Sequence, residues 1–307
     1  IPPEYIDSMR VKVNLLTSDM IRQWIPARPR SAHKGTFGHL GLIAGSTGKS
    51  GAAALSARAA LRCGTGLVTI ATPTNVNPIL ETLTLEAMTV PMPQTAEGSL
   101  SLDAAPHLEN FAQERNALAI GPGLSTQAET VELVRSFIGS LDRPSIIDAD
   151  ALNALAGHTS ILKACRTPPI LTPHPGEMAR LLGKGTAQDV NQDRLGVARQ
   201  FAQNHGCILV LKGAQTVMAN ADQEISICPT GNPGMASAGM GDALTGIIGG
   251  LLAQGLPPWK AAQAGVFLHG LAGDIGARQY GEIGLLASDL IDSIPAAFQQ
   301  ILGNSGL

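Results

Sequence analysis

A glycine-rich segment near the chain's last third has the residue types of an anion-binding loop that ends on an acid. Residues 231–242 read GNPGMASAGMGD, and the apolar run that follows is predicted to be a helix. Backbone N–H groups at a helix N-terminus, with the helix dipole behind them, stabilise a phosphate or a phosphoryl group in transfer. Asp242 would lie in the first turn, where the dipole favours any acid. The position also suits a general base for an attacking hydroxyl, and the spacing leaves both roles open.

Five further polar or glycine-rich segments each follow a short apolar run. Apolar runs that alternate with helices are typical of buried parallel strands. In an open α/β sheet the carboxyl ends of the strands form one edge, and ligands bind along it. We therefore expect these segments to line one crevice. They are residues 45–51, 121–123, 148–150, 172–177 and 212–213.

The first of these segments resembles a P-loop only superficially. Gly48-Lys49-Ser50 matches the end of that motif, which also requires a glycine at position 43. Position 43 is Ile43, inside the predicted strand. The segment is therefore interpreted as a short glycine-rich loop before a helix, whose amides can still approach an anion or a ribose.

The elements that must position these segments alternate along the chain. They predict one doubly wound α/β domain, with a mostly parallel central sheet flanked by helices. Strands are predicted over 40–44, 67–71, 117–120, 145–147, 170–171 and 207–211, with a β-meander over 216–219 and 225–228. Helices are predicted over 18–25, 52–62, 126–138, 151–156, 176–182, 189–204, 242–254, 259–279 and 288–301.

Composition excludes several classes of protein. The 307 residues carry 21 basic and 24 acidic side chains, a net charge of −3, so there is no electrostatic case for nucleic-acid binding. Charged residues are only 15% and aromatic residues 3%, whereas glycine reaches 35 residues. Such a chain is built from small aliphatic residues and glycine, which favours close approach of backbone to backbone or to a ligand.

The cysteines and the apolar stretches indicate a cytoplasmic protein without a membrane span. No Cys-x-x-Cys pair occurs, so a zinc site or a disulfide framework is not expected, and free thiols in a reducing cytosol are. The longest uncharged stretch, 243–259, contains Pro257 and Pro258, which do not suit a membrane helix. The first residues do not have the pattern of a signal peptide. The cysteines are Cys63, Cys165, Cys207 and Cys228.

Taken together, the motifs resemble the NAD(P)H-hydrate dehydratase family of the ribokinase-like superfamily. Gly239-Met240-Gly241-Asp242 is similar to the superfamily's Gly-x-Gly-Asp anion-hole motif. The resemblance extends over roughly residues 15 to 300. The other matching segments are residues 33–38, 44–46, 121–124, 148–153, 172–177 and 212–216.

The resemblance implies repair of NADH or NADPH that has been hydrated on the nicotinamide ring. Members of the family phosphorylate the ring hydroxyl with ADP, in bacteria, or ATP, in eukaryotes, and phosphate is then lost with help from the ring nitrogen. No residue decides between ADP and ATP, or between the two hydrates. The alternatives are a kinase of the same superfamily acting on a thiazole or pyrimidine alcohol, and a nucleotide-binding regulator that has no need of Asp242.

The resemblance assigns catalytic and substrate-binding roles. It implies that Asp242 is the general base and that Gly239, Met240 and Gly241 supply N–H groups to the phosphoryl group. Ala52, Gly123 and His174, with Asp242, match contacts to the hydrated dinucleotide. Ordinary helix packing remains the alternative for Ala52, and a structural histidine for His174.

It also assigns nucleotide and metal roles. Lys212, Gly213, Ala214, Gln215 and Thr216 match the nucleotide-binding stretch, and Gly241 would touch the nucleotide. Lys212 could instead be a lysine at a strand end. Glu177 would hold Mg²⁺ through water, with a helix-terminal acid as its alternative. Weaker candidates on the same polar edge are Asp148 and Asn153.

Residues 1–14 are interpreted as an extension or linker and 15–307 as a single dehydratase domain. Ile1-Pro2-Pro3 resembles the end of the epimerase domain that is fused to this dehydratase in many bacterial proteins. The low charge and the long helices of small residues suggest a homo-oligomer. The family often forms tetramers, so the resemblance makes a tetramer the expected form.

Overall fold

The computed structural model describes residues 12–303, in which ten strands form one sheet of order β1-β10-β9-β8-β7-β6-β5-β2-β3-β4. Neighbouring strands are parallel except at β8–β9 and β9–β10. This confirms the α/β, mostly parallel prediction and the β-meander. The strands are β1 Val13–Leu15, β2 His39–Ile43, β3 Leu67–Pro73, β4 Met88–Met92, β5 Ala117–Ile120, β6 Ser145–Ile147, β7 Ile170–Leu171, β8 Ile208–Leu211, β9 Val217–Ala219 and β10 Ile225–Ile227.

Helices cover both faces of the sheet, because the strands carry apolar side chains on both sides. In β5, Ala117 and Ala119 pack into one core, whereas Leu118 and Ile120 pack into the other. The helices are α1 Ser18–Trp24, α2 Ser50–Arg62, α3 Asn77–Leu83, α4 Ala105–Gln113, α5 Ala128–Gly139, α6 Ala149–Leu155, α7 Pro175–Leu182, α8 Ala187–Gln192, α9 Arg194–His205, α10 Met240–Ala253, α11 Pro258–Tyr280 and α12 Ala287–Leu302.

The direction of winding reverses between β2 and β5. From β2 the chain moves outward through β3 and β4, then returns to β5 and continues to β8 on the other side. The five polar segments predicted to share an edge follow β2, β5, β6, β7 and β8, which are adjacent and parallel. They therefore meet at the carboxyl edge of the sheet, beside the switch point where such folds bind ligands.

Small residues let α10 lie deep in the molecule. A Cβ at Gly246 would collide with the Ser56 carbonyl of α2, and one at Gly265 of α11 would collide with Ile248 of α10. Part of the glycine excess therefore serves helix packing, because it lets α2 and α11 lie close against α10.

One helix prediction is wrong, and several elements were not predicted. The helix expected over 189–204 is two helices, because Asp193 has non-helical angles (φ −141°, ψ 67°) and its carboxylate caps α9 at the Gly196 N–H, 2.8 Å away. The unpredicted elements are β1, β4, α3 and α4. The last two begin with a proline at the first or second position, a start signal that the sequence did contain.

The calculated fold places no membrane-spanning helix within residues 12–303: none is long and apolar enough. The four cysteines there have free thiols, and three of them are buried. The prediction for Ile1-Pro2-Pro3 lies outside the described residues.

Candidate active site

The N-terminus of α10 forms the floor of the site. Gly239 caps the helix with φ +86°, a conformation that favours glycine, and a Cβ there would come within 2.7 Å of the end of the Leu55 side chain. The N–H groups of the first turn have no acceptor within the helix and face outward from its end. The His269 Nε2 lies 2.9 Å from the Met240 carbonyl, and the Ser56 hydroxyl donates to the Asp242 carbonyl at 2.9 Å. These two contacts hold the first turn from α11 and α2.

Asp242 lies in that first turn in an environment that disfavours its charge. Burial, with the nearby Asp148 carboxylate, raises the pKa of Asp242 to about 7, against a partial opposing effect of Lys212. An acid that exchanges its proton near neutral pH is suited to general base chemistry. This favours the catalytic interpretation of Asp242 over that of a helix-terminal acid.

Asp148 connects the elements around Asp242. Its side chain is buried, and its oxygens accept hydrogen bonds from the Thr172 hydroxyl at 2.7 Å, the Thr245 hydroxyl at 2.8 Å and the Lys212 ammonium at 2.9 Å. These donors come from the ends of β7 and β8 and from α10. A fully bonded buried carboxylate of this kind fixes the relative positions of its partners.

The Lys212 ammonium lies against the mouth of the α10 N-terminus. It is 2.9 Å from Asp148 and 3.6 Å from a Glu177 oxygen, and a Cβ at Gly241 would be 3.4 Å from its Nζ. Burial lowers the pKa of Lys212, but Asp148 and Glu177 outweigh that effect, so its pKa is raised and the ammonium stays charged. The arrangement places a fixed positive charge beside Gly241, in the first turn of α10. The alternative of an unconstrained surface lysine does not fit these contacts.

His174 and Glu177 form a capping box at the start of α7. The His174 Nδ1 accepts from the Gly176 N–H at 3.0 Å, and a Glu177 oxygen accepts from the His174 N–H at 2.8 Å. The imidazole is half exposed, and burial together with Lys212 and Arg180 lowers the pKa of His174 despite Glu177. His174 is thus a neutral, half-exposed ring that is anchored through Nδ1, with Nε2 3.6 Å from a Glu177 oxygen.

These carboxylates fit a magnesium ion only as an outer partner. Asp148 already accepts hydrogen bonds from three donors, and Lys212 lies between it and Glu177, whereas the second Glu177 oxygen has the His174 ring at 3.6 Å as its neighbour. In residues 12–303 no group of three or more His, Cys, Asp or Glu side chains could hold a metal. Mg²⁺ typically keeps several waters and binds one or two carboxylates plus substrate phosphates, which Glu177 can satisfy through water.

The predicted nucleotide-binding stretch is an exposed loop that is held in place by an arginine of α9. Gly213, Ala214 and Gln215 are exposed, and Gln215 takes φ +52°. The Arg194 guanidinium of α9 donates to the carbonyls of Ala214 at 2.6 Å and Leu211 at 2.9 Å. The loop shape is therefore fixed by a side chain that the sequence patterns did not indicate.

Ala52 and Gly123 meet across the switch point. Gly123 has φ +65°, and a Cβ there would be 3.2 Å from the Ala52 Cβ and 2.7 Å from the Lys49 carbonyl. The Ser46 hydroxyl donates to the Gly123 carbonyl at 2.7 Å. The loops after β2 and β5 are thus one packed unit.

Most of the predicted site residues share the carboxyl edge, but one matching segment does not. Residues 33–38 precede β2, at the amino edge, where a Cβ at Gly38 would collide with the carbonyl of Ala253 at the far end of α10. Their role here is packing. Three contributors were missed, namely Thr245, His269 and Arg194. Thr245, one turn after Asp242, could have been found from helical spacing, whereas the other two carry no local signal.

Comparisons with known proteins identify the family of the chain. The family model of NAD(P)H-hydrate dehydratase matches residues 40–296. The bifunctional NAD(P)H-hydrate repair enzyme of Moorella thermoacetica is 48% identical over 302 residues, which is 98% of this chain and 57% of that enzyme. The chain thus spans little more than half the length of that relative. The ADP-dependent (S)-NAD(P)H-hydrate dehydratase of Neisseria meningitidis is 40% identical over 269 residues, 86% of each chain.

Solved structures give the same result for the fold. The ADP/ATP-dependent NAD(P)H-hydrate dehydratase of Bacillus subtilis, co-crystallised with ATP and Mg²⁺, has a TM-score of 0.79 at 33% identity and covers 94% of this chain and 99% of that chain. A ribokinase-like superfamily protein of Enterococcus faecalis has a TM-score of 0.81 at 28% identity, over 94% of this chain and 96% of its own. The ribokinase-like prediction is confirmed, and the chain belongs to the NAD(P)H-hydrate dehydratase family.

Proposed function

We propose that this chain dehydrates hydrated NADH and NADPH, consuming ADP or ATP, and so restores the reduced dinucleotides. The observation that carries this function is Asp242. It is an acid with a pKa raised to about 7, one residue after Gly241 and beside the Lys212 ammonium, at the open N-terminus of a long helix. That combination offers a base for a hydroxyl together with a hole for a phosphoryl group.

The first step is transfer of the terminal phosphoryl group to the ring hydroxyl. The Asp242 carboxylate accepts the hydroxyl proton as the oxygen attacks phosphorus, and the nucleotide leaves as AMP from ADP or as ADP from ATP. The N–H groups of Gly239, Met240 and Gly241 donate hydrogen bonds to the phosphoryl oxygens and so stabilise their negative charge. Lys212, held by Asp148, adds a fixed positive charge at the same point.

The second step is loss of phosphate from the ring. The lone pair of the ring nitrogen expels the phosphate with cleavage of the carbon–oxygen bond, and a proton leaves the neighbouring ring carbon to give the dihydronicotinamide. Hydrated NADH and ADP thus yield NADH, AMP, phosphate and a proton. The water that is removed ends as an oxygen of phosphate, which reconciles a kinase-like site with a lyase outcome.

Substrate and nucleotide occupy opposite sides of Asp242 in this proposal. Gly213, Ala214, Gln215 and Thr216 hold the nucleotide, since their exposed loop continues directly from Lys212. On the other side, Ala52, Gly123 and His174 contact the hydrate. The residues of each set are Lys212, Gly213, Ala214, Gln215, Thr216 and Gly241 for the nucleotide, and Ala52, Gly123, His174 and Asp242 for the hydrate.

Magnesium is proposed as the metal that accompanies the nucleotide. When bound, Mg²⁺ would neutralise phosphate charge, and Glu177 would hold it through water. Glu177 also accepts the hydrogen bond from the His174 N–H at the start of α7. The residue that would hold the metal and the residue that would contact the substrate are therefore joined directly.

The proposal is tested by incubating the chain with hydrated NADH, Mg²⁺ and either ADP or ATP. Recovery of dihydronicotinamide absorbance, with release of one phosphate for each NADH formed, is the expected result. No recovery with either nucleotide would contradict it. Phosphorylation of a thiazole or pyrimidine alcohol in the same assay would instead support the alternative kinase.

We further propose that the chain from β1 onward, which begins at Val13, two residues before the predicted boundary at residue 15, forms the dehydratase domain of a longer repair protein. In this proposal an epimerase domain precedes it, and the protein acts in the cytoplasm as a homotetramer. The coverage of 57% of the Moorella thermoacetica relative supports a longer protein. The complete coding sequence, and light scattering of the purified protein, test these points. A coding sequence without an upstream domain, or a monomer in solution, would contradict them.

A further inference from the structure

A chain of charged and amide side chains, hereafter the rim cluster, crosses the substrate side of the site. It consists of Lys49, Asp150, Asn153 and Arg180. The Lys49 ammonium lies 2.9 Å from an Asp150 oxygen, the Asn153 amide donates to the other Asp150 oxygen at 3.3 Å, and the Arg180 Nε donates to Asn153 at 2.9 Å. The cluster links the loop after β2 to α6 and α7.

One carboxylate organises two cations in this cluster. Asp150 is mostly buried, and it also accepts the N–H of Ser125, at 2.9 Å. Arg180 reaches it only through Asn153, so its charge has no direct counter-ion within the cluster. Lys49 and Arg180 are both exposed. The rim cluster therefore has a net charge of +1 and presents two cationic groups to solvent.

The interior of the site has the opposite charge. Asp148, Glu177 and Asp242 face one ammonium, that of Lys212, so these groups carry a net charge of −2 when Asp242 is ionised and −1 when it is protonated. Arg194 is turned away from it by its bonds to backbone carbonyls. The exposed cations that could bind phosphates other than those of the nucleotide are thus at the rim and not in the interior.

The two cations flank the residues proposed to touch the hydrate. A Cβ at Gly123 would be 3.0 Å from the Lys49 Cβ, and Lys49 lies one helical turn before Ala52. On the other side, a Cβ at Gly176 would be 4.0 Å from the Arg180 Nη1, next to the His174 ring. A dinucleotide that contacts Gly123 and His174, as proposed above, would therefore lie between these two cations.

We propose that Lys49 and Arg180 bind the pyrophosphate of the dinucleotide substrate, with Asp150 and Asn153 as the residues that position them; this rests on the proposed dehydratase function. A pyrophosphate carries two negative charges and is bound by charge-assisted hydrogen bonds from ammonium and guanidinium groups. The contact is equal in the ground state and the transition state, so it lowers KM without raising kcat.

The test compares two substrates in wild type, Lys49→Gln, Arg180→Gln and the double variant. Hydrated NADH contains the pyrophosphate, whereas hydrated reduced nicotinamide riboside has no phosphate. On hydrated NADH we expect KM to rise about tenfold for each cation removed, or ~1.4 kcal/mol, with kcat little changed. On the riboside hydrate, which has no phosphate for the two cations to bind, the variants should differ far less from wild type. Lys49→Arg keeps the charge and should retain the wild-type KM.

Arg58→Gln is the matched control, because Arg58 is also a helical surface arginine, paired with Asp292 at 3.3 Å. Its KM should not change, and thermal unfolding shows whether each variant is folded. Equal KM values for wild type and the double variant on hydrated NADH would overturn the inference, as would equal losses on both substrates.

Binding of NADH, measured by titration calorimetry, separates this inference from the proposed function. If wild type has no turnover but the double variant binds NADH at least tenfold more weakly, the subsite stands and the proposed function fails. If both bind NADH equally, or wild type does not bind it, the subsite is overturned.

Discussion

Replacement of Asp242 by asparagine should stabilise the fold while it abolishes turnover. The pKa of Asp242 is raised from 3.8 to about 7, so between these values the folded chain binds a proton that the unfolded chain releases. The contribution of Asp242 to stability therefore falls as pH rises through this interval. Three pKa units correspond to about 4 kcal/mol at most, and partial access to solvent reduces this to about 2 kcal/mol. Asparagine removes that cost because it carries no charge.

The assay is thermal unfolding of wild type and Asp242→Asn between pH 4 and 8, together with dehydratase rates. At pH 8 the variant should melt ~4–8 °C higher, and near pH 4 the two should melt together. Its turnover should fall about 10²–10⁴-fold. Asp289→Asn is the control, because Asp289 is a first-turn acid that caps α12 at the Leu286 N–H, 2.9 Å away, and its loss should not stabilise. A pH-independent difference, or a variant less stable at pH 8, would refute the reasoning.

Three other variants test the parts around Asp242. Lys212→Met should lower kcat about 10²-fold, because the phosphoryl group loses a fixed charge, and steady-state kinetics with Lys212→Arg as control checks this; an unchanged kcat would contradict it. Thr245→Val should cost about 1–2 kcal/mol in urea unfolding, since Asp148 loses a buried donor, and equal stability would count against that role. Burial lowers the pKa of His269 from 6.5 to about 4, so the contribution of this residue to stability falls as pH falls through the interval, opposite in sign to that of Asp242. The stability of His269→Phe relative to wild type should therefore increase as pH falls from 6.5 to 4, and a difference that does not change with pH would disprove it.

The sheet edge could be predicted from the sequence because its signals are local. Each of the five polar segments follows a short apolar run, and parallel strands must end on the same side. The same rule located Asp148, Lys212 and Glu177 without any knowledge of their contacts. The role of Asp148 was nevertheless underestimated, since its importance comes from Thr172 and Thr245, whose hydroxyls reach it from different elements.

The remainder depends on tertiary contacts between residues far apart in the chain. His269 supports Met240 across 29 positions, and Arg194 supports the loop at Ala214 across 20 positions. Neither has neighbours in sequence that indicate a function. The helical pattern over 189–204 also failed because of a local cap. The Asp193 side chain accepts the hydrogen bond of the Gly196 N–H, so one helix ends before Asp193 and another begins after it. Sequence patterns therefore give the strands and the loops, whereas packing selects the residues that hold them.

The most direct test of the central claim follows the oxygen of the ring hydroxyl. Hydrated NADH is prepared with heavy oxygen in that hydroxyl and converted by the enzyme with ADP and Mg²⁺, and the products are examined by mass spectrometry. Phosphorylation by way of Asp242 followed by elimination predicts that the label appears in inorganic phosphate, in amounts equal to the NADH formed. Label recovered in water, with unlabelled phosphate, would contradict the account.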